Sequence, residues 1–247
     1  MKGNQKKILI TGTSSGIGEF LAKRFIDDKC IVIGIARKKA KLKNKNYFHY
    51  ITDINNENNL KRIFDNIKKN FQNIDIVVNN AGSTTEGYKF SSFEKNIKDN
   101  LNPPFLISKY SIELMKKRGG KIINLSSIAG IVALPNNPGY NSSKAAINLL
   151  TKSFALDYGK YNINVNSLAL GYFPTKMTRR SFANTKKNML IKKNTILKRW
   201  GKLEEVWGPI KFLSSKEANY ITGQTLVVDG GWLSKGLKWR LDSCKVD

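Results

Sequence analysis

The stretch KKILITGTSSGIGEFLAKRFIDD, residues 6–28, runs from a β-branched apolar segment through a glycine-rich turn into an amphipathic helix with no linker between them. Gly12, Gly16 and Gly18 let the backbone turn tightly and approach a bulky anion. The free N–H groups at the start of the helix favour a pyrophosphate there, and Ser14, Ser15 and Ile17 complete the turn. The spacing G-x-x-x-G-x-G departs from the commoner dinucleotide fingerprint G-x-G-x-x-G. A strand-to-helix turn with no ligand can also use glycine, so the rest of the chain has to decide.

Six further short β-branched runs follow, at residues 30–36, 47–51, 74–79, 121–126, 163–169 and 225–230, with amphipathic segments between them. Seven strands separated by helices imply βαβ crossovers and a parallel sheet covered on both faces. The expected fold is α/β, a single doubly wound Rossmann domain over residues 1–247 with a seven-stranded parallel sheet. Segment 172–201 is long, basic and poorly periodic, which suggests a substrate lid. No apolar run reaches the roughly 20 residues of a membrane span. The start does not read as a signal peptide, so a cytoplasmic protein is expected. Cys30, Cys244 and the single His49 form no metal-ligand pattern, and no metal is expected.

The net charge is +25, with eight Arg among 43 basic residues. Nucleic-acid sites concentrate Arg and aromatics on one face, whereas these lysines are spread over nearly every expected helix, so no specific nucleic-acid partner is expected.

Tyr140 and Lys144, in YNSSK (140–144), lie four residues apart and share one helix face. A phenol with an ordinary pKa near 10 exchanges protons poorly at neutral pH unless a cation stabilises its anion, and Lys144 can supply one. Pro104 has no N–H to offer the carbonyl of Asn100 within the helical stretch expected at 91–117. Ser127 ends a strand, where α/β sheets hold ligands, and alternation turns Ser126 to the other face. His49 reads as a partly buried strand residue.

In order along the chain, TGTSSGIG, NNAG (79–82), Asn100, NLSS, YNSSK, LGYFPT and ITGQTLVVDGG resemble the short-chain dehydrogenase/reductase family over its full length. The resemblance implies an enzyme that interconverts a secondary alcohol and a ketone by hydride transfer, with a catalytic set of Asn100, Ser127, Tyr140 and Lys144. Tyr140 would be the acid/base, Ser127 would bind the substrate oxygen, and Lys144 would hold the nicotinamide ribose. Asn100 would hold a water of a proton relay. It also implies cofactor contacts from Asp53 and Ile54 near adenine, from Asn79, Asn80, Ala81 and Gly82 along the cofactor, and from Gly171, Phe173 and Thr175 near nicotinamide. Leu170 stands where the family usually has proline. Relatives of this kind are homotetramers, and the closing stretch is similar to sugar-acid dehydrogenases while the general core is equally similar to 3-oxoacyl-carrier-protein reductases.

NADP(H) is the expected cofactor, with NAD(H) possible. Strand two closes as GIARKK (34–39), with Ala36 where an NAD site usually offers a carboxylate, and Arg37 can form a fork with a 2′-phosphate. Arg179, Arg180, Lys186 and Lys187 in the expected lid can attract an anion, either the carboxylate of a small substrate or an acidic carrier protein. Two other functions stay open at this level: a cofactor-binding regulator without turnover, and a basic nucleic-acid binder.

Overall fold

The computed structural model describes residues 5–235, so Cys244 and the end of the tail lie outside the described residues. Seven strands form one parallel sheet in the order β3-β2-β1-β4-β5-β6-β7. They are β1 (Lys7–Thr11), β2 (Ile31–Ala36), β3 (Tyr47–Ile51), β4 (Ile76–Asn79), β5 (Gly120–Ser127), β6 (Ile163–Leu170) and β7 (Thr225–Val228). The central strands are apolar without alternation because both faces are covered. Ile8 and Ile10 pack into one core layer with Phe25 of α1 (Gly16–Asp27) and Trp207 of α8 (Glu204–Leu213). Leu9 faces the other layer, built with α2 (Glu57–Phe71), α4 (Asn102–Met115) and α5 (Pro138–Tyr158). In α2, Leu60, Phe64, Ile67 and Phe71 recur at helical spacing and are buried, and Asn56 caps the first turn by accepting the Asn59 N–H at 3.0 Å.

Two expected elements differ from the sequence reading. The stretch 91–117 is two helices, α3 (Phe90–Asn100) and α4, broken at Leu101. The two prolines Pro103 and Pro104 supply no N–H, so they suit the first turn of a new helix better than the interior of an old one. Segment 172–201 also contains order of its own, namely α6 (Arg179–Ala183) and α7 (Thr185–Asn194), the latter capped by Asn184. Periodicity misses these because α6 is only five residues long and Lys and Asn occupy six of the ten positions of α7.

The winding of the sheet reverses between β1 and β4, and the carboxyl ends of these neighbours open the crevice in which such sheets hold ligands.

Candidate active site

At the end of β1, Gly12 has φ +77° and its N–H donates to the Ile35 carbonyl at 2.7 Å. A Cβ on Gly12 would lie 2.7 Å from Asn80 Nδ2, and one on Gly18 would lie 2.4 Å from the Gly12 carbonyl oxygen. These glycines therefore press the turn against β4 and the first turn of α1 against the turn. Gly16, at φ +63°, has only Thr175 near its open side, 3.9 Å from where a Cβ would sit. Ser15 is extended and caps α1 with no side-chain hydrogen bond, which leaves the first N–H groups of the helix directed at the crevice. The cradle has the backbone shape and polarity that fit a pyrophosphate.

Asn80 and Ala81 serve the same turn from the β4 side. Their N–H groups both donate to Thr11 Oγ1, at 3.0 and 2.9 Å, and Asn80 Nδ2 donates to the Thr11 carbonyl at 2.8 Å. Asn79 points into the core, donating to Ser108 Oγ at 3.1 Å and to Asn124 Oδ1 at 2.8 Å. Thr11 and Asn124 carry no sequence signal apart from strand polarity, and the structure shows them bracing the sheet centre.

The second half of the site is assembled on β5 and α5. Ser127 ends β5, and its Oγ accepts the Ala129 N–H at 3.1 Å while its hydroxyl lies near enough to the Tyr140 phenol to favour the anion. The turn-capping and the site-facing roles of Ser127 therefore coexist. Ser126 Oγ instead donates to the Lys144 carbonyl at 3.2 Å, and Gly130 packs so closely on α5 that a Cβ there would lie 2.6 Å from Lys144 backbone atoms. These contacts fix α5 against the strand end. Lys144 Nζ donates to the Leu125 carbonyl at 2.8 Å and lies 5.7 Å from the centre of the Tyr140 ring. Burial lowers its pKa to about 8. Burial likewise raises the half-buried Tyr140 phenol; the Ser127 hydroxyl opposes that rise, and the nearby Tyr172 adds to it. A lysine that simply lowers the phenol's pKa is therefore not what the protein alone provides.

Asn100 is fully buried, with Oδ1 accepting the Ser83 N–H at 2.8 Å and Nδ2 donating to Ser143 Oγ at 3.1 Å. Ser143 in turn donates to the Tyr140 carbonyl at 2.8 Å. A Cβ on Gly82 would lie 2.8 Å from Asn100 Oδ1 and 3.8 Å from Lys144 Nζ, so the end of β4 meets α3 and α5 at one point.

Arg37 and Asp53 line a cleft of about 670 Å³ beside α3, together with Lys95, Lys98, Glu94 and Asp99. The absence of a carboxylate at Ala36 does not leave this cleft without one. The end of β2 offers no carboxylate, but β3 and α3 bring Asp53 and Asp99 to the same cleft. Burial pushes the Asp99 carboxyl up, yet hydrogen bonds from Lys95 and Ser83 and the charges of Lys95 and Arg37 outweigh it and hold it below its usual range. Asp53 is exposed and accepts the Asn55 N–H at 3.0 Å in a turn, and Ile54 is buried beside it.

β6 ends at Leu170, which pairs with Ser127 on one side and Val228 on the other, so it continues the strand where proline was expected. Gly171 follows, packed so closely on Asp229 that a Cβ would lie 2.7 Å from its Cα. Phe173 is buried against Gly201, and the Thr175 N–H donates to Thr178 Oγ1 at 2.9 Å above the glycine turn. The turn Gly230–Gly231, with φ +64° and +80°, tucks under Thr195 and Ile196, each 2.7 Å from a would-be Cβ. His49 lies apart from the paired serine and tyrosine, its Nδ1 2.9 Å from Tyr47 Oη.

The profile of the family described as enoyl-(acyl carrier protein) reductase matches residues 12–233. The chain belongs to the short-chain dehydrogenase/reductase family. This dehydrogenase is 38% identical over 236 residues to a 3-oxoacyl-[acyl-carrier-protein] reductase of Rickettsia typhi, covering 92% of the chain and 97% of the relative. Among solved structures it is similar to a gluconate 5-dehydrogenase from Burkholderia cenocepacia in complex with NADP and tartrate, at 29% identity and a TM-score of 0.89 over 95% and 96% of the two chains. It is also similar to a 4-hydroxyisoleucine dehydrogenase complexed with NADH, at 31% identity and a TM-score of 0.90 over 94% and 100%. The protein is thus an NAD(P)-binding oxidoreductase of CH–OH and keto groups. Among its described residues no helix is long and apolar enough to cross a membrane.

Proposed function

We propose that this dehydrogenase interconverts a secondary alcohol and a ketone on a small polar or anionic metabolite, either a sugar acid or a 3-oxoacyl thioester, with NADP(H) preferred over NAD(H). The observation that carries this reading is the meeting of Gly82, Asn100 and Lys144 beside the Tyr140 ring, at the end of the strand that carries Ser127. When bound, the nicotinamide cofactor supplies or accepts the hydride at the substrate carbon. Tyr140 gives its phenolic proton to the carbonyl oxygen during reduction and takes it back during oxidation. The Ser127 hydroxyl holds that oxygen beside the phenol. Lys144, close to the Tyr140 ring, holds the nicotinamide ribose, and the phenolate left behind would be stabilised by Lys144 together with the positive charge of the oxidised nicotinamide. Asn100 is the relay residue, placed where Pro103 and Pro104 withhold N–H groups from its carbonyl. Gly12, Ser14, Ser15, Gly16, Ile17 and Gly18 hold the pyrophosphate; Asp53, Ile54 and Asn80 to Gly82 border the adenosine half; and Gly171, Phe173 and Thr175 border the nicotinamide. Arg37 takes the 2′-phosphate, with the Asp99 charge already engaged by Lys95 at 2.8 Å.

Segment 172–201 acts as the lid over a cytoplasmic enzyme's site, and the exposed Arg179, Arg180, Lys186 and Lys187 draw in anions. A homotetramer is the proposed assembly. Two separate faces support it: Leu149 and Leu156 are exposed on α5, as are Phe212 on α8 and Leu226 and Val227 on β7, and two self-complementary faces generate a four-chain assembly.

A panel of ketones and polyols, followed by absorbance of the reduced cofactor, tests the reading, and running it with NADH as well as NADPH ranks the cofactors. Tyr140→Phe removes one proton donor and little volume, so activity on the best substrate falls by about 10²–10⁴-fold while cofactor affinity stays unchanged. Substantial residual turnover sinks the role of Tyr140.

A further inference from the structure

Tyr172 lies two residues beyond Leu170, the residue paired with Ser127 at the adjoining strand ends, and so stands at the mouth of the site. It is firmly held. Its carbonyl accepts the Gly201 N–H at 2.9 Å, and its ring meets Trp200 edge-on at 5.5 Å and Trp232 at 6.2 Å. Trp200 is itself a fixed backstop, buried, edge-on to Phe182 at 5.1 Å and donating its indole N–H to Asn188 Oδ1 at 3.1 Å.

Three partly buried tyrosines away from the site spend their hydroxyls on the protein, Tyr47 donating to Thr13 Oγ1 at 2.8 Å, Tyr50 to Asn66 Oδ1 at 2.9 Å and Tyr110 to Glu57 Oε1 at 3.0 Å, whereas Tyr158 and Tyr161 at and just after the end of α5 do not. The half-buried Tyr172 hydroxyl has no hydrogen-bond partner among the described residues, although it sits in a wall otherwise packed with rings. Tyr172 Oη is not among the buried polar atoms that lack a partner, so it opens to the site mouth, where a hydroxyl not used by the protein is available to a ligand. It is also near enough to the Tyr140 phenol to oppose the ionisation of that group. Beyond Trp232 opens a cleft of about 350 Å³ lined by Val132, Ala133, Asn194 and Leu233, a size that suits a compact molecule.

Building on the acid/base reading of Tyr140, we infer that Tyr172 is a specificity residue whose hydroxyl bonds an oxygen on the carbon next to the reacting carbon, while the Trp232 ring covers the C–H face of the same chain. An aromatic face carries negative charge density and attracts the weakly positive hydrogens of a polyhydroxylated carbon chain, which also has the neighbouring hydroxyl that a 3-oxoacyl chain lacks. The substrate class this selects is the sugar acid.

Binding can be measured apart from turnover, because a ketone cannot react with protein saturated with NADP⁺. Calorimetric titration with 5-keto-D-gluconate and with its 4-deoxy analogue is compared for wild type, Tyr172→Phe and Trp232→Leu. Tyr172→Phe is expected to weaken 5-ketogluconate binding about tenfold, the scale of one hydrogen bond, and to leave the deoxy analogue within about twofold. Trp232→Leu weakens both ligands alike. Unchanged NADP⁺ affinity confirms that each variant is folded. Equal effects of Tyr172→Phe on the two ligands, or no binding of 5-ketogluconate to wild type, overturns the inference. Binding with the expected ratio but without NADPH-dependent turnover overturns the catalytic reading and leaves the recognition role of Tyr172 standing.

Discussion

Burial acts on Tyr140 and Lys144 in the same direction, toward the neutral form of each. A phenol that keeps its proton through the neutral range is a ready acid for reduction, whereas the oxidation direction gains as alkali removes it. For Lys144 the effect is also a term in stability. The unfolded chain keeps this proton up to its ordinary value of 10.5, and the folded protein releases it at about 8. Between those values the unfolded state binds more protons, so the residue's contribution to stability improves as pH rises and its full penalty stands below pH 8. Lys144→Met removes the group. Denaturant unfolding of the cofactor-free protein should find the stability of the variant relative to wild type declining from pH 8 to 10.5, by at most about 1.4 kcal/mol per pH unit. A difference that stays flat with pH contradicts a buried, displaced lysine.

At the scale of elements, the glycines divide into those that hold parts together and those that do not. Gly18 joins the first turn of α1 to the glycine turn, with backbone 2.4 Å from a would-be Cβ, while Gly159 at the end of α5 has ordinary helical dihedrals and open space around it. Gly18→Ala is expected to cost about 1–3 kcal/mol as backbone shifts to make room. Gly159→Ala should gain about 0.4–1 kcal/mol by restricting the unfolded chain. Urea midpoints of the two variants measure both, and a Gly18→Ala midpoint equal to wild type contradicts the close packing. The same contrast explains what could be read beforehand. The five inner strands were legible because parallel strands buried on two faces carry long apolar runs, the edge strands β3 and β7 because they are short aromatic or β-branched segments between helices, and the glycine turn and the Tyr140–Lys144 spacing are local. The break at Leu101, the helices α6 and α7, and Asp99 in the Arg37 cleft were not. They depend on which residues meet across space, and a lysine-rich helix carries little apolar period to announce it. Tyr172 left only a trace, an aromatic directly after Gly171, whose meaning requires Trp200 and Trp232 to be seen around it.

For the whole molecule, a net charge of +25 opposes close association of copies, and the apolar side chains on two faces favour it. Leu156, 85% exposed on α5, is in position to decide the balance on one face. Light scattering on Leu156→Asp should give a mass of half the wild-type assembly or less, and a wild-type protein that runs as a single chain rejects the tetramer. The turn at Gly230–Gly231, wedged beneath Thr195 and Ile196 with the Leu197 N–H donating to the Gly230 carbonyl at 3.1 Å, has a consequence in the time domain of synthesis. The glycine cradle leaves the ribosome well before the wall facing it, which is completed by Trp232, more than 200 residues further along. A nascent chain therefore has the means to grip its cofactor well before it can enclose a substrate, and premature termination after β6 leaves a cofactor cradle without its substrate wall.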